Sequence, residues 1–410
     1  MKFWKLSLCA AVATFGFATA ALADAPAAPA AAAPAAPAPA ATPFPAMSPS
    51  LSGNTTPMSF DLGFLGSKVY VGGVLTGFAQ AQTNSVFNFG TGKPDQSSTI
   101  DLSNAQIFIN KTDGVIQYYI QAGAYSLPAL GDLPYTNSAN QPKASFGNLA
   151  QGFVKIVPNA NFSVEAGALP TLVGAEYTFT FENLNITRGL LWGVEPAVSR
   201  GVQANLTEGP LAVSLAFTDG FYSNHYNTVS GLATWTINPA NTLAVDFQTP
   251  TTKTHIITSV TNPFLNNETI YNVMFTHTMG QWTFNPYLQY VSVPKLTYFG
   301  SLKETSWGAA LLANYAFDAK SPLSGVSLPF RIEYMSTSGS SFAAPNLLFA
   351  PGSNAWSFTV TPTYQYKNYF VRAELAYVTA NKFKPYDAAY GVNGDKGNQT
   401  RGLIETGVLF

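Results

Sequence analysis

Short stretches in which every second residue is apolar recur along this chain, and the segments joining them alternate between short and long. A two-residue period marks a β-strand with one apolar face, because successive side chains point to opposite sides of the pleat. Ile116, Tyr118, Ile120 and Ala122 fall on one face, with Gln117, Tyr119 and Gln121 on the other. Phe162, Val164 and Ala166 oppose Ser163, Glu165 and Gly167; Leu211, Val213, Leu215 and Phe217 oppose Ala212, Ser214, Ala216 and Thr218. The same alternation runs through 243–248, 282–290 and 356–366. The first two strands, near 69–82 and 100–110, show no clear phase. Short turns are expected at 111–115, 158–161, 207–210, 238–241, 279–281 and 366–369, with a looser one at 318–326. Between them lie long connections at 83–99, 126–146, 170–198, 220–229, 249–268, 292–304, 338–354 and 379–399. The pattern gives about sixteen strands with both chain ends on one side.

Composition says what such a sheet faces. Charged residues are 10% of the chain and aromatics 14%, against about 25% charged in ordinary soluble domains. No apolar run beyond the first twenty or so residues is long enough for a spanning helix. A strand protein that meets lipid must close on itself, since only closure pairs every backbone group in hydrocarbon. The expected fold is therefore all-β, a transmembrane antiparallel up-and-down β-barrel, whose kind has long outer loops and short periplasmic turns. A soluble β-sandwich gives no reason for loop lengths to alternate. Basic and acidic residues nearly balance, 20 against 21, and no basic patch points to nucleic acid. Trp235, Trp282, Tyr290, Trp307, Tyr315, Tyr334, Trp356, Tyr364, Tyr366, Tyr369 and Tyr377 lie near strand ends, where amphipathic rings settle at the headgroup level.

Strand charges follow the apolar parity. Phe330, Ile332 and Tyr334 set the lipid face, so Arg331 and Glu333 point inward; likewise Val371, Ala373 and Leu375 send Arg372 and Glu374 inward. Phe410, Val408 and Ile404 do the same for Arg401 and Glu405. An Arg on the lipid face would cost about 2–4 kcal/mol at mid-bilayer. With Lys155, Glu165 and Asp246, these residues form the expected pore lining. Strand 14 lies between the first two charged strands and turns Thr359, Thr361, Thr363 and Gln365 inward. The charges either orient permeating solutes or brace the wall as a salt-bridge ladder; the sequence leaves both open.

The two chain ends carry targeting signals. Lys2 and Lys5, an apolar run over 6–20 and Ala21-Leu22-Ala23 read as a signal peptide, residues 1–23. Residues 24–66 are an Ala/Pro-rich periplasmic linker and lead-in, extended in its proline-dense part. Residues 67–410 are the barrel domain. Cys9, the only cysteine, falls in the signal, so thiol chemistry and disulfides are excluded from the mature chain. The last segment, 400–410, alternates and closes on Phe410. It resembles the terminal strand by which outer-membrane barrels are recognised by the barrel-insertion machinery.

The longest connection, 170–198, carries Glu176, Glu182, Arg188 and Glu195, with Arg200 just after it. A loop beyond about 12–15 residues is usually functional or disordered, and Trp192 with many Phe and Leu argues for order. It resembles the third loop of classical sixteen-strand porins, which folds inward and narrows the channel. That resemblance makes it the candidate constriction loop, with a surface lid or subunit contact as the alternative. Catalysis has weak support. His225, His255 and His277 are scattered, and only Ser223 and His225 lie close together, in a polar loop. No metal-ligand spacing and no phosphate-cradling motif is present, so no cofactor is expected.

The stretch Asn185-Ile-Thr-Arg188-Gly-Leu-Leu-Trp192-Gly-Val-Glu-Pro196, followed by Ser199-Arg-Gly201-Val-Gln-Ala-Asn-Leu206, resembles the outer-membrane β-barrel porin-2 family, as does Val164-Glu-Ala-Gly167-Ala-Leu-Pro170 before it. Members often carry His where this chain has Arg200. The resemblance implies a Gram-negative outer-membrane porin in lipid, a water-filled channel for passive diffusion of small hydrophilic solutes and ions. A homotrimer is expected by analogy. The alternatives are a non-conducting structural or adhesion barrel, and a barrel-embedded hydrolase.

Overall fold

The computed structural model describes residues 47–410, apart from 62, 64–67, 89–92, 132–133, 259–262, 340–342 and 384–389. The expected signal peptide and the proline-dense linker, 1–46, lie outside the described residues. The remainder is one closed antiparallel sheet of sixteen strands. In chain order these are β1 (Lys68–Gln82), β2 (Ser98–Lys111), β3 (Ile116–Tyr125), β4 (Leu149–Asn159), β5 (Phe162–Pro170), β6 (Val198–Glu208), β7 (Leu211–Thr218) and β8 (Thr228–Asn238). Then follow β9 (Asn241–Pro250), β10 (Thr269–Met279), β11 (Trp282–Val293), β12 (Glu304–Ala316) and β13 (Val326–Thr337). β14 is broken in two (Asn354–Val360 and Thr363–Tyr366), and β15 (Tyr369–Asn381) and β16 (Asn398–Leu409) complete the wall. Each strand pairs with the next, and β16 closes on β1 in the register Val74↔Leu409 to Gln82↔Arg401. Closure leaves no free sheet edge in lipid.

The tight turns gather at one end. Asn159↔Phe162, Glu208↔Leu211, Asn238↔Asn241, Met279↔Trp282 and Tyr366↔Tyr369 each enclose two residues. Such hairpins favour a positive φ at the first turn position, supplied by Gly280 (φ 60°) and, at greater strain, by Lys367 (φ 54°). The long loops gather at the other end. Loop 1, between β1 and β2, holds a hairpin of two two-residue strands, and loop 2, between β3 and β4, a four-residue helix, Gln141–Ala144. A lead-in strand, Met58–Asp61, pairs with the start of β1 in line with β16.

The missing phase of the second strand has a local cause. β1 and β2 pair Thr76↔Asn104 and then Gly77↔Leu102, so Ser103 is an extra residue. A bulge of this kind shifts side-chain parity along the strand. Asp101 faces inward before it, and Asn104, Gln106 and Phe108 after it.

The outward face is apolar, with its aromatics in two bands. Trp307, Tyr334 and Trp356 adjoin at 5.1 and 4.8 Å near the loop end, and Trp282 and Tyr315 at 4.9 Å near the turn end. The band is dense on β10 to β15. It thins from β16 to β5, where Gly402, Gly77, Ala79, Ala81, Ala122 and Ala166 share the outward parity.

Candidate functional site

The connection between β5 and β6, 171–197 and called loop 3 here, does not cover the rim. It folds into the barrel and packs against inward-facing residues of β9, β11, β13, β15 and β16. Phe179, Phe181, Ile186, Thr187, Arg188 and Leu191 are fully buried. A loop taken out of water needs a partner for each backbone polar group, and the wall supplies many of them from charged side chains.

Glu374 on β15 accepts the Ile186 amide at 2.5 Å and the Thr187 amide at 3.2 Å, together with the Thr187 and Thr361 hydroxyls. Glu333 on β13 accepts the Leu190 and Leu191 amides at 3.0 and 3.3 Å and the Ser357 hydroxyl at 2.6 Å. Arg331 donates to Glu176 of the loop at 2.5 Å, lies 3.1 Å from Glu333, and donates to the Thr187 carbonyl at 2.8 Å. Arg372 donates to Glu405 and to the Thr180 and Asn183 carbonyls at 2.6, 2.6 and 2.9 Å. Glu405 also accepts the Thr180 hydroxyl at 2.6 Å. Five of the expected inward charges thus hold one loop. Hydrogen bonds to charged groups contribute roughly 1.5–3 kcal/mol each, which offsets part of the desolvation of these ions.

The other expected site residues divide. Asp246 on β9 accepts the Gly174 amide of loop 3 at 3.1 Å and Asn272 at 2.9 Å. Arg401 on β16 instead holds loop 2, donating to the Ala129 carbonyl at 2.8 Å. Lys155 and Glu165 pair across β4 and β5 at 3.6 Å; about a third of the Lys155 side chain is exposed. Within loop 3, Glu176 also accepts the Gly189 amide at 2.8 Å, and Glu195 accepts the Tyr287 hydroxyl and, at 2.8 Å, Gln289. Glu182 accepts the Phe179 amide at 2.9 Å, and burial pushes its carboxyl up to about 8. Arg188 stacks 5.4 Å from Trp192, and burial pulls its guanidinium down to about 10. Arg200 stands apart from this set. It pairs with Asp219 of the next loop at 2.8 Å and lies 3.9 Å over the Tyr222 ring.

Tyr287, Gln289 and Thr361, which bond Glu195, Leu191 and Asn185, were not singled out from sequence as partners of loop 3. Their inward parity was readable; the loop residue each would meet was not. Nor did sequence mark Leu51, which is buried in the barrel with Phe179 and Phe181. Ser223 donates to the Asp219 carbonyl at 2.8 Å, and its oxygen accepts the His225 backbone amide.

A sixteen-strand barrel with a long loop folded within its wall defines an outer-membrane porin. The chain belongs to the family described as "Putative beta-barrel porin-2, OmpL-like", whose model matches residues 68–410. No curated protein matches it by sequence. Solved structures share its fold at low identity. An anion-selective porin from Comamonas acidovorans is 12% identical, with a TM-score of 0.55 over 84% of this chain and 100% of that one. OmpT, an outer membrane protein of Vibrio cholerae, is 12% identical, with a TM-score of 0.54 over 87% and 100%. The outer membrane channel DcaP of Acinetobacter baumannii is 11% identical, with a TM-score of 0.52 over 84% and 98%.

Proposed function

We propose that this porin passes small hydrophilic solutes and ions down their gradients through a water-filled lumen narrowed by loop 3, with no catalytic step. The observation that carries this reading is the anchoring of loop 3 by Arg331, Glu333, Arg372, Glu374 and Glu405. A loop that merely capped the rim would not need five buried charges. In this reading the inward charges have two roles. The buried ones, with Asp246 and Arg401, set the width of the passage by fixing loops. Lys155, paired with Glu165 and partly exposed, is the charge that meets solute.

The hydrolase alternative loses ground because Ser223 turns to backbone groups and not to the His225 ring. A homotrimer is favoured by the aromatic-poor wall from β16 to β5, which suits protein contact better than headgroups. OmpT of Vibrio cholerae, which shares the fold, is solved in a trimer form. Planar-bilayer recording of the refolded protein tests the channel. Stepwise conductance of about a nanosiemens, the scale of an aqueous lumen in a barrel of this strand number, is expected. A silent bilayer would favour the structural barrel.

A further inference from the structure

The chain before the barrel does not stay outside it. Ser48 donates its amide to the Glu182 carbonyl of loop 3 at 2.9 Å, and the Ser50 hydroxyl lies 3.4 Å from the Asn183 carbonyl. Leu51, 3% exposed, is buried in one cluster with Phe179 and Phe181 of loop 3 and with Val74, Phe370 and Leu409 of the wall. All three are on the inward parity; Phe370 and Leu409 lie at the turn ends of β15 and β16, and Val74 of β1 is level with Leu409. Ser52 is held on both sides by Gln365 of β14, whose side-chain oxygen accepts its amide and whose nitrogen donates to its carbonyl, each at 2.8 Å. Asn54, buried, accepts the Thr56 amide at 2.9 Å and so reverses the chain. The chain then pairs as Met58–Asp61 along β1.

We propose that residues 47–57 are a lumenal latch that holds the tip of loop 3 against the β14–β16 wall, so that the width of the channel is set from its periplasmic end. Two features favour a latch over passive filling. Its polar contacts with loop 3 go to backbone carbonyls at the tip, Glu182 and Asn183, and Arg372 of the wall donates to the same Asn183 carbonyl. Its apolar anchor, Leu51, is buried between loop and wall, and Met47 of the same segment packs against that cluster. The segment is also tethered at its far end by the lead-in strand, so displacement of Leu51 need not disturb barrel closure, which is made by β16 and β1.

The effect on conductance rests on the porin reading; the hold on loop 3 does not. Two full-length variants test it, Leu51→Asp, which puts a charge in the apolar cluster, and Gln365→Leu, which removes the clamp on Ser52 while preserving bulk. Barrel closure is checked by circular dichroism and heat-modifiable migration. Amide hydrogen exchange over 179–188 and single-channel conductance are then compared with the unsubstituted protein. We expect exchange faster by about tenfold, with a larger and noisier conductance. If Leu51→Asp fails to close, Gln365→Leu decides alone. Unchanged exchange in a closed variant overturns the latch, as does faster exchange with unchanged conductance in a conducting protein. If every form, including the unsubstituted one, is silent in bilayers, the channel reading falls and the exchange result alone decides the latch.

Discussion

The Glu374 carboxylate accepts the amide hydrogen of Ile186, 188 residues earlier in the chain, at 2.5 Å. A wall residue thereby takes the place of a backbone carbonyl for a loop that has no strand to pair with. The same group serves Thr187 twice and Thr361 once, so its acceptor capacity is nearly filled.

Replacing Glu374 with Ala should release loop 3 more than it weakens the barrel. Two buried amides lose their acceptor, and each orphan costs about 1–3 kcal/mol. The strand pairs around it, Arg372↔Glu405 and Ala373↔Ile404, do not involve the side chain. Amide exchange at 186 and 187 is expected to rise and conductance to increase, with heat-modifiable migration retained. Glu374→Gln, which keeps one acceptor oxygen, should fall between. Equal behaviour of Ala and Gln would show that the carboxylate is not the anchor.

Arg372 meets three acceptors in three directions, Glu405 and the Thr180 and Asn183 carbonyls. A lysine ammonium is a point charge and cannot reproduce that fork. Arg372→Lys is therefore expected to resemble Arg372→Ala in loop 3 exchange, while retaining net charge. If ion selectivity shifts in the Ala variant and not in Lys, the charge also acts on permeating ions; if only loop order shifts, its work is structural.

Gly189 tests how tightly the loop is fitted. A Cβ there would run into the Glu333 carboxylate, which holds Leu190 and Leu191. Gly189→Ala should displace Glu333 and loosen the loop, about as much as losing its two hydrogen bonds, roughly 3–6 kcal/mol. Loop exchange as fast as in Glu333→Ala would agree; wild-type exchange would mean the carboxylate moves aside freely.

How much of this was legible follows from range. Strand faces are local, so the inward placement of Arg331, Arg372 and Glu405 came from parity alone, as did the alternation of turns with loops. The bulge at Ser103 hid the phase of β2 because it depends on pairing with β1. Which loop amide meets which wall carboxylate depends on contacts between 72 and 188 residues apart, and no periodicity encodes them. Leu51 lacked any signal: a single leucine among Ser, Pro and Gly is an ordinary loop residue until its pocket is formed.

Phe410 separates recognition from packing. Its backbone exchanges two hydrogen bonds with Gly73, at 2.8 and 2.9 Å, and its ring covers that glycine so closely that a Cβ would lie 2.5 Å from it. Phe410→Ala keeps the backbone pairs and is expected to lower outer-membrane levels in cells while refolding in detergent proceeds. Gly73→Val, which expels the ring, should slow both. Full cellular assembly of Phe410→Ala would remove the terminal ring from the insertion signal.

Loop 3 order should depend on pH through Glu182, a loop carboxyl raised from 4.5 to about 8 mainly by burial, with the Phe179 amide and then Arg188 pulling it back. Its folded value lies above its unfolded value, so docking is favoured while the group is protonated. The contribution is complete below about pH 4.5 and is lost as pH rises through about 8. Amide exchange of 179–183, corrected for its intrinsic pH dependence, should therefore accelerate between pH 5 and 9, about the window those values define. In Glu182→Gln, which stays neutral throughout, the acceleration should shrink, although Glu176 and Glu195, also raised by burial, retain part of it. A Gln variant with the full wild-type slope would place the titration on those two carboxylates instead.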